Sequence, residues 1–136
     1  MSEVCKIRKT IFAVILTISW LIDRVTKIFA LEYLQAKAVY RNYGIAFDIL
    51  KDSPLACFFL ALSGTGLLVL SFVVYKKRFF TPGIAFLLAG ALGNLADRLI
   101  YGYVVDWIHV VGHINLADIW LCVGAFLLLK YFRRNE

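Results

Sequence analysis

Four aspartates lie in or beside long apolar stretches of the sequence: Asp23, Asp97, Asp106 and Asp118. A carboxyl group at membrane depth is costly to bury, so each one is a candidate for function. Asp106 and Asp118 have no lysine or arginine within four positions. An unpaired buried carboxyl must be neutral or share a proton with a neighbour. Two such groups together can activate a water molecule for attack on an amide, and they can also relay protons. Their spacing leaves both chemistries open.

The other polar residues of these stretches are typical of structural support. Asp23 and Lys27 are four positions apart, a spacing that suits an ion pair on one helical face. Asp97 adjoins Arg98, and Asn94 lies one turn earlier. This trio can satisfy polar groups where a helix ends. We expect both sets to brace a site rather than to perform its chemistry.

Two histidines offer a different chemistry, that of a metal centre. His109 and His113 have the i,i+4 spacing of a helical metal site, and Asp106 or Asp118 could complete the ligand set. Gly112 weakens the helix that this spacing requires. Interfacial histidines are more often hydrogen-bonded surface groups. We therefore predict that the protein needs no metal and no organic cofactor.

The composition indicates how these residues are positioned. Of 136 residues, 62% are hydrophobic and 18% charged, whereas a soluble domain is about half apolar and a quarter charged. The apolar residues form four runs, each long enough to cross a bilayer core of roughly 30 Å. We predict an all-α membrane protein with a single domain over 1–136. Its four transmembrane helices are predicted over about 10–31, 54–75, 79–99 and 114–132.

The basic residues predict the orientation of these helices. Nine of them fall on one side if there are four crossings: Lys6, Arg8, Lys9, Lys76, Lys77, Arg78, Lys130, Arg133 and Arg134. The positive-inside rule then places both termini in the cytoplasm, with Glu32–Ser53 and Ile100–His113 outside. The net charge of +6 therefore reflects topology, and we predict no nucleic-acid partner. The outer segment Tyr40–Phe47 is predicted to form short strands or an interfacial flap.

The depth of the acidic residues bears on the choice between the two chemistries. Counted from the basic inner ends of their helices, Asp23, Asp97 and Asp118 lie about 18 to 28 Å up. Asp106 can return to the same layer, near the outer edge of the hydrocarbon. A proton-coupled carrier should place acids at several depths, but the inner halves of the predicted helices carry none. A purely structural subunit would leave Asp118 unexplained. The single layer of acidic residues therefore favours a peptidase.

Five polar motifs, taken in order, resemble those of lipoprotein signal peptidase (signal peptidase II). They cover the chain from the first predicted helix to the last: Asp23-x-x-x-Lys27, Asn42-x-Gly44-x-Ala46-Phe47, Gly93-Asn94-x-x-Asp97-Arg98, Gly102-x-Val104-Val105-Asp106 and Asn115-x-Ala117-Asp118. Any one of them is weak, but five in order at matching places in the topology form a specific pattern. The Gly-x-Gly-Asp motif of presenilin-like and prepilin peptidases is absent from the sequence.

The resemblance implies a four-helix aspartic peptidase of the bacterial inner membrane. Such enzymes cleave prolipoproteins just before the diacylglyceryl-modified cysteine, so the expected partners are lipid-modified prolipoproteins and membrane lipids. It implies that Asp106 and Asp118 are the catalytic dyad, near the extracytoplasmic face, and we expect a monomer. The residues that match the family's substrate-binding or supporting positions are Asn42, Gly44, Asn94, Asp97, Arg98, Asn115, Asp23 and Lys27.

The sequence departs from the family pattern in two places. Trp107 and Ile114 stand where phenylalanine is usual, and both replacements are apolar. Only 11 residues separate Asp106 from Asp118, which is short for the family. We expect this short segment to alter the outer rim of the site, and with it substrate fit, more than the chemistry.

Overall fold

In the part of the chain that a computed structural model describes, three long helices form the frame. They are α1 (Glu3–Tyr33), α2 (Pro82–Tyr101) and α3 (Leu116–Arg134). The residues that the structure describes are 3–34, 39–44, 53, 55, 58, 61–62, 64–66, 68–69, 81–110 and 112–134. The described residues between 55 and 69 are helical as well, but most of the predicted second span lies outside the described residues.

Among the described helices, α2 is the one that is both long and apolar enough to cross a membrane. A count of four spans therefore stays a prediction. The helix α1 is longer than the predicted 10–31, because it continues through Lys6, Arg8 and Lys9, which are residue types that favour helix.

Local capping sets both ends of α2. The helix begins at Pro82, three residues after the predicted start at 79. The Thr81 hydroxyl accepts a hydrogen bond from the Ile84 N–H at 3.5 Å, and Pro82 supplies a preset first turn. At the other end Gly102 adopts a left-handed conformation with φ of 79° and donates its N–H to the Arg98 carbonyl. This is the usual glycine termination of a helix.

Between these helices the described residues include four short strands. They form two antiparallel pairs, β1 (Tyr40–Asn42) with β2 (Val104–Asp106), and β3 (Ile108–Val110) with β4 (Gly112–Ile114). In the first pair Tyr40 lies opposite Asp106, and Asn42 lies opposite Val104. The strand β1 falls inside the outer segment for which short strands were predicted. Residues 45–47 of that segment lie outside the described residues, and its action as a flap stays a prediction.

Small residues allow α2 to pack closely against α3. A Cβ atom added to Gly83 would lie 3.0 Å from the Gly124 carbonyl oxygen, and one added to Gly124 would lie 2.7 Å from that of Gly83. The second distance is too short for a side chain, and the first is at the tight end of the distances that Cβ atoms show. Close backbone approach of this kind is what small residues provide between membrane helices.

The surface of α1 that faces away from α2 and α3 is apolar and exposed. Its residues recur every three or four positions, each 46–62% exposed: Val4, Ile7, Ile11, Val14, Ile18, Leu21, Val25 and Ile28. A continuous apolar stripe of this length does not fit contact with water. It is the surface that lipid acyl chains would cover, while the polar residues of α1 turn towards α2 and α3.

Candidate active site

Asp106 and Asp118 are held by the same asparagine. Asp106 ends β2, and Asp118 is the third residue of α3. The Asn115 side-chain amide donates to Asp106 Oδ1 at 2.6 Å, and the Asn115 backbone N–H donates to Asp118 Oδ2 at 3.1 Å. The two carboxyls that the sequence singled out therefore meet around Asn115, which is completely buried.

The same asparagine also starts α3. Its side-chain oxygen accepts from the Asp118 N–H at 3.2 Å, while the Asp118 carboxyl accepts from its backbone N–H. This reciprocal pair is a capping box with an aspartate in the place of the usual glutamate. The helix therefore begins at Leu116 rather than at the predicted 114, because β4 extends to Ile114 and Asn115 is the cap.

Two further asparagines complete the hydrogen bonding of the two carboxyls. Asn42 donates to Asp106 Oδ2 at 3.0 Å, and Asn94 donates to Asp118 Oδ1 at 2.8 Å. The Asn42 oxygen accepts from the Gly44 N–H at 2.8 Å, which fixes the direction of its amide. Among the described residues, each of the four carboxyl oxygens thus has one protein donor. Each oxygen has two lone pairs, so capacity remains for a further ligand.

Burial of Asp106 gives its carboxyl an unusual proton affinity. Loss of hydration raises its pKa from 3.8 to about 6, because the charged form is disfavoured away from water. The hydrogen bonds from Asn115 and Asn42 act against this rise, and the nearby charge of Asp118 adds to it. A carboxyl with a pKa close to neutrality can both accept and release a proton, as acid–base catalysis requires.

Beneath the two carboxyls lies a buried cluster of four charges. Lys27 Nζ lies 3.1 Å from Asp23 Oδ2 and 2.8 Å from Asp97 Oδ2. Arg24 lies 3.5 Å from Asp23 Oδ2 and also pairs with Asp97 Oδ1. The ion pair between Asp23 and Lys27 that the spacing predicted is present. Asp23 and Asp97 are completely buried, and Lys27 is 1% exposed.

The sequence model of the signal peptidase (SPase) II family matches residues 14–133. The chain belongs to the signal peptidase II family. The match covers both halves of the carboxyl pair and the charge cluster beneath it. Membership also identifies the chain as a bacterial membrane protein, in agreement with the apolar stripe on α1.

Relatives of this chain are named lipoprotein signal peptidases. A lipoprotein signal peptidase of Sinorhizobium fredii is 44% identical over 103 residues, which is 65% of this chain and 60% of that protein. One from Clostridium novyi is 30% identical over 136 residues, covering 85% of this chain and 92% of that protein. The chain thus spans about 60% of the length of the first relative and nearly all of the second.

Two solved structures share the fold of this signal peptidase II chain. Both are described as a bacterial membrane enzyme solved by the in meso method. One has a TM-score of 0.75 at 25% identity and covers 93% of this chain and 95% of its own. The other has a TM-score of 0.76 at 23% identity, with coverage of 93% and 89%.

Arg98 connects the outer segment of this family member to α2. Its guanidinium donates to the Gly44 carbonyl at 2.7 Å and to the Asn94 carbonyl at 3.2 Å. Its neighbour Asp97 turns towards Arg24 and Lys27 of α1. The Arg98 guanidinium also borders a cavity of about 210 Å³, whose other lining residues are Tyr43, Leu55, Phe58 and Gly102.

The histidines lie on the rim and not in a helix. His109 and His113 face each other across the β3–β4 pair, with ring centroids 4.7 Å apart, and Tyr40 stacks on His113 at 4.3 Å. Gly112 has a φ of 91°, so the chain turns where a helical metal site would need to continue. Within the described parts of the chain, no three or more His, Cys, Asp or Glu side chains are arranged to hold a metal ion.

Sequence reasoning assigned no site role to Arg24, which the structure places in the charge cluster. Its guanidinium pairs with Asp97 across 73 positions of sequence. One signal could have revealed it, since a basic residue directly after Asp23 within an apolar run needs a buried partner.

Proposed function

We propose that this chain is a lipoprotein signal peptidase that removes signal peptides from diacylglyceryl-modified prolipoproteins, cutting before the lipidated cysteine. The observation that carries this proposal is the pair of carboxyls, Asp106 and Asp118, joined through Asn115. The designation of the relatives as lipoprotein signal peptidases supports the substrate class.

In the proposed mechanism, Asp106 and Asp118 hold a water molecule between them, with one carboxyl ionised and the other protonated. The ionised carboxyl accepts a proton from the water as the water oxygen attacks the scissile carbonyl carbon. The protonated carboxyl donates a hydrogen bond to the developing oxyanion. When the C–N bond breaks, a proton passes to the leaving amine, and the carboxyls exchange roles. The roles are assigned to the pair, because coupled carboxyls titrate together.

The supporting asparagines would keep this pair in register during the reaction. Asn42, Asn94 and Asn115 donate to carboxyl oxygens and take no part in proton transfer. Arg98 is proposed to position the peptide, since it already holds the Gly44 carbonyl of the outer segment. A rigid set of donors places the carboxyls before substrate arrives, which limits the reorganisation needed in the transition state.

The proposed topology places both termini in the cytoplasm and the site near the extracytoplasmic face. The amino end of α1 and the carboxyl end of α3 carry basic residues, as the positive-inside rule requires of cytoplasmic ends. The site lies towards the opposite ends of both helices. A lipid-bearing substrate helix could then arrive laterally from the bilayer. We propose a monomer that contacts membrane lipids and needs no nucleic acid, metal or organic cofactor.

The proposal is tested with purified protein in detergent and a diacylglyceryl-modified prolipoprotein, with cleavage followed by gel shift. Asp106→Asn and Asp118→Asn should each abolish release of the signal peptide. Glu3→Gln is the matched control, because Glu3 is an exposed carboxylate at the far end of α1. Near wild-type cleavage by both dyad variants would refute the mechanism. If folded wild type does not cleave a substrate whose lipidation is confirmed, the alternative of proton transport would be tested by proton flux in liposomes.

A further inference from the structure

The two acidic residues of the charge cluster bind backbone groups next to the dyad. Asp23 Oδ1 accepts from the Ala117 N–H at 2.9 Å, and Asp97 Oδ2 accepts from the Val105 N–H at 3.1 Å. Ala117 directly precedes Asp118, and Val105 directly precedes Asp106. Each supporting carboxylate therefore holds the main chain one residue before a dyad aspartate.

One ammonium group joins these two supports. Lys27 Nζ lies 3.1 Å from Asp23 Oδ2 and 2.8 Å from Asp97 Oδ2, and it donates to the Asn94 oxygen at 3.0 Å. An ammonium group has three donors, and three oxygens of the described residues lie within 3.1 Å of this one. The contact with Asn94 also directs the opposite end of that amide, its NH₂ group, towards Asp118.

The charges make this arrangement depend on Lys27. Asp23 and Asp97 are completely buried, and two carboxylates at such a site repel each other unless cations lie close by. Lys27 and Arg24 supply two positive charges for the two negative ones. Removal of the Lys27 charge would leave a buried negative charge without compensation, which is strongly unfavourable.

We propose that Lys27, Asp23 and Asp97 form a clamp that sets the separation of the two catalytic carboxyls. The clamp (these three residues) joins α1 and α2 to the backbone of β2 and of α3. Its members are positioning residues, since they act on the dyad through Val105, Ala117 and Asn94. The inference rests on the proposed peptidase function, because only that function assigns catalysis to Asp106 and Asp118.

The first test compares Lys27→Met with wild type in the full-length protein. Methionine has a similar length but carries no charge and no donor. We expect kcat for prolipoprotein cleavage to fall by on the order of 10²-fold, the typical effect of a misplacement of about 1 Å. KM should stay near the wild-type value. Thr26→Val is the matched control, because within the described residues the Thr26 hydroxyl bonds only to carbonyls of its own helix, those of Ile22 and Asp23.

The second test measures the clamp without any turnover. Amide hydrogen exchange, resolved by residue, should become faster at both Ala117 and Val105 in Lys27→Met, while amides in the middle of α2 keep their protection. Unchanged exchange at these two amides, with kcat reduced, would overturn the clamp. A raised KM at unchanged kcat would also overturn it.

A double variant guards against a folding defect in Lys27→Met. Lys27→Met combined with Asp97→Asn removes one positive and one negative charge together, and the asparagine oxygen can still accept from Val105. We expect this pair to lose no more kcat than Lys27→Met alone, because both changes break one unit. A kcat loss in the double variant equal to the product of the two single-variant losses would contradict the clamp. If wild type does not cleave, the peptidase proposal fails, but the exchange data still decide whether the clamp exists.

Discussion

Asn115 offers the most informative single substitution in the protein, because it has two separable tasks. Its side-chain oxygen caps α3 by accepting from the Asp118 N–H, and its side-chain NH₂ donates to Asp106. Serine keeps a capping oxygen but lacks the amide donor, whereas alanine lacks both. The comparison of Asn115→Ser with Asn115→Ala therefore assigns an effect to each task.

The expected magnitudes follow from these contacts. Serine and asparagine are nearly equal as N-caps, while alanine costs about 1 kcal/mol of unfolding free energy. A hydrogen bond to a charged group contributes about 1.5 to 3 kcal/mol. If that bond counts fully in the reaction, kcat/KM should fall roughly 10- to 100-fold in both variants. Only Asn115→Ala should also lose the cap contribution to stability.

The pH dependence of kcat/KM gives an independent test, because the direction of its shift can be predicted. The Asn115 donor favours the ionised form of Asp106 and so opposes the burial that raises its pKa to about 6. Removing the donor should therefore move this pKa further upward. The acid limb of kcat/KM against pH should shift to higher pH in Asn115→Ser, and Asn115→Ala should shift similarly.

The assay is initial-rate cleavage of a diacylglyceryl-modified prolipoprotein across pH, paired with denaturant unfolding in detergent at about pH 5. At that pH Asp106 holds its proton, so the unfolding comparison isolates the cap. The reasoning would be refuted by an Asn115→Ser variant with wild-type kcat/KM and an unmoved acid limb. Equal stability of the serine and alanine variants would refute the capping assignment.

Three further substitutions test other parts of the structure. Asp106 has a raised pKa, so its contribution to stability is present below pH 3.8 and lost as pH rises to about 6. Unfolding measured at both ends of this window should therefore show wild type losing about 3 kcal/mol relative to Asp106→Asn. Gly90→Ala should cost about 1 to 3 kcal/mol and lower cleavage, because the added methyl group would overlap the Ala117 carbonyl. Gly64→Ala is its control in the same unfolding assay, since no atom of the described residues lies within 4 Å of a Cβ atom added there. Gly102→Ala should cost about 1 to 2 kcal/mol through its φ of 79°, and an unchanged midpoint would contradict the left-handed cap.

Much of the frame was predictable because it depends on residue types and their local order. The apolar runs predicted the helices α1, α2 and α3, which the structure contains. The errors at the starts of α2 and α3 came from capping, which local patterns describe only in part. Asn115 lies between a strand and a helix, and the apolar Ile114 before it suits either one.

The site was predictable in its members but not in its contacts. The cost of burying a carboxyl singled out Asp106 and Asp118 without any knowledge of the fold. The i,i+4 rule gave the contact between Asp23 and Lys27, because a helix brings such residues together by its own geometry. Nothing local indicated that Asp97 would bind Lys27 rather than turn towards Arg98.

The sequence by itself therefore determined which residues are the candidates for the chemistry, since residue type and burial cost decide which side chains qualify. Only the tertiary structure decided how they are held. Asp23 reaches Ala117 across 94 positions, and Arg24 reaches Asp97 across 73. Such partners are chosen by the packing of one helix against another, and the close approach of α2 and α3 brings them within reach. Local spacing contains no information about which distant groups that packing brings together.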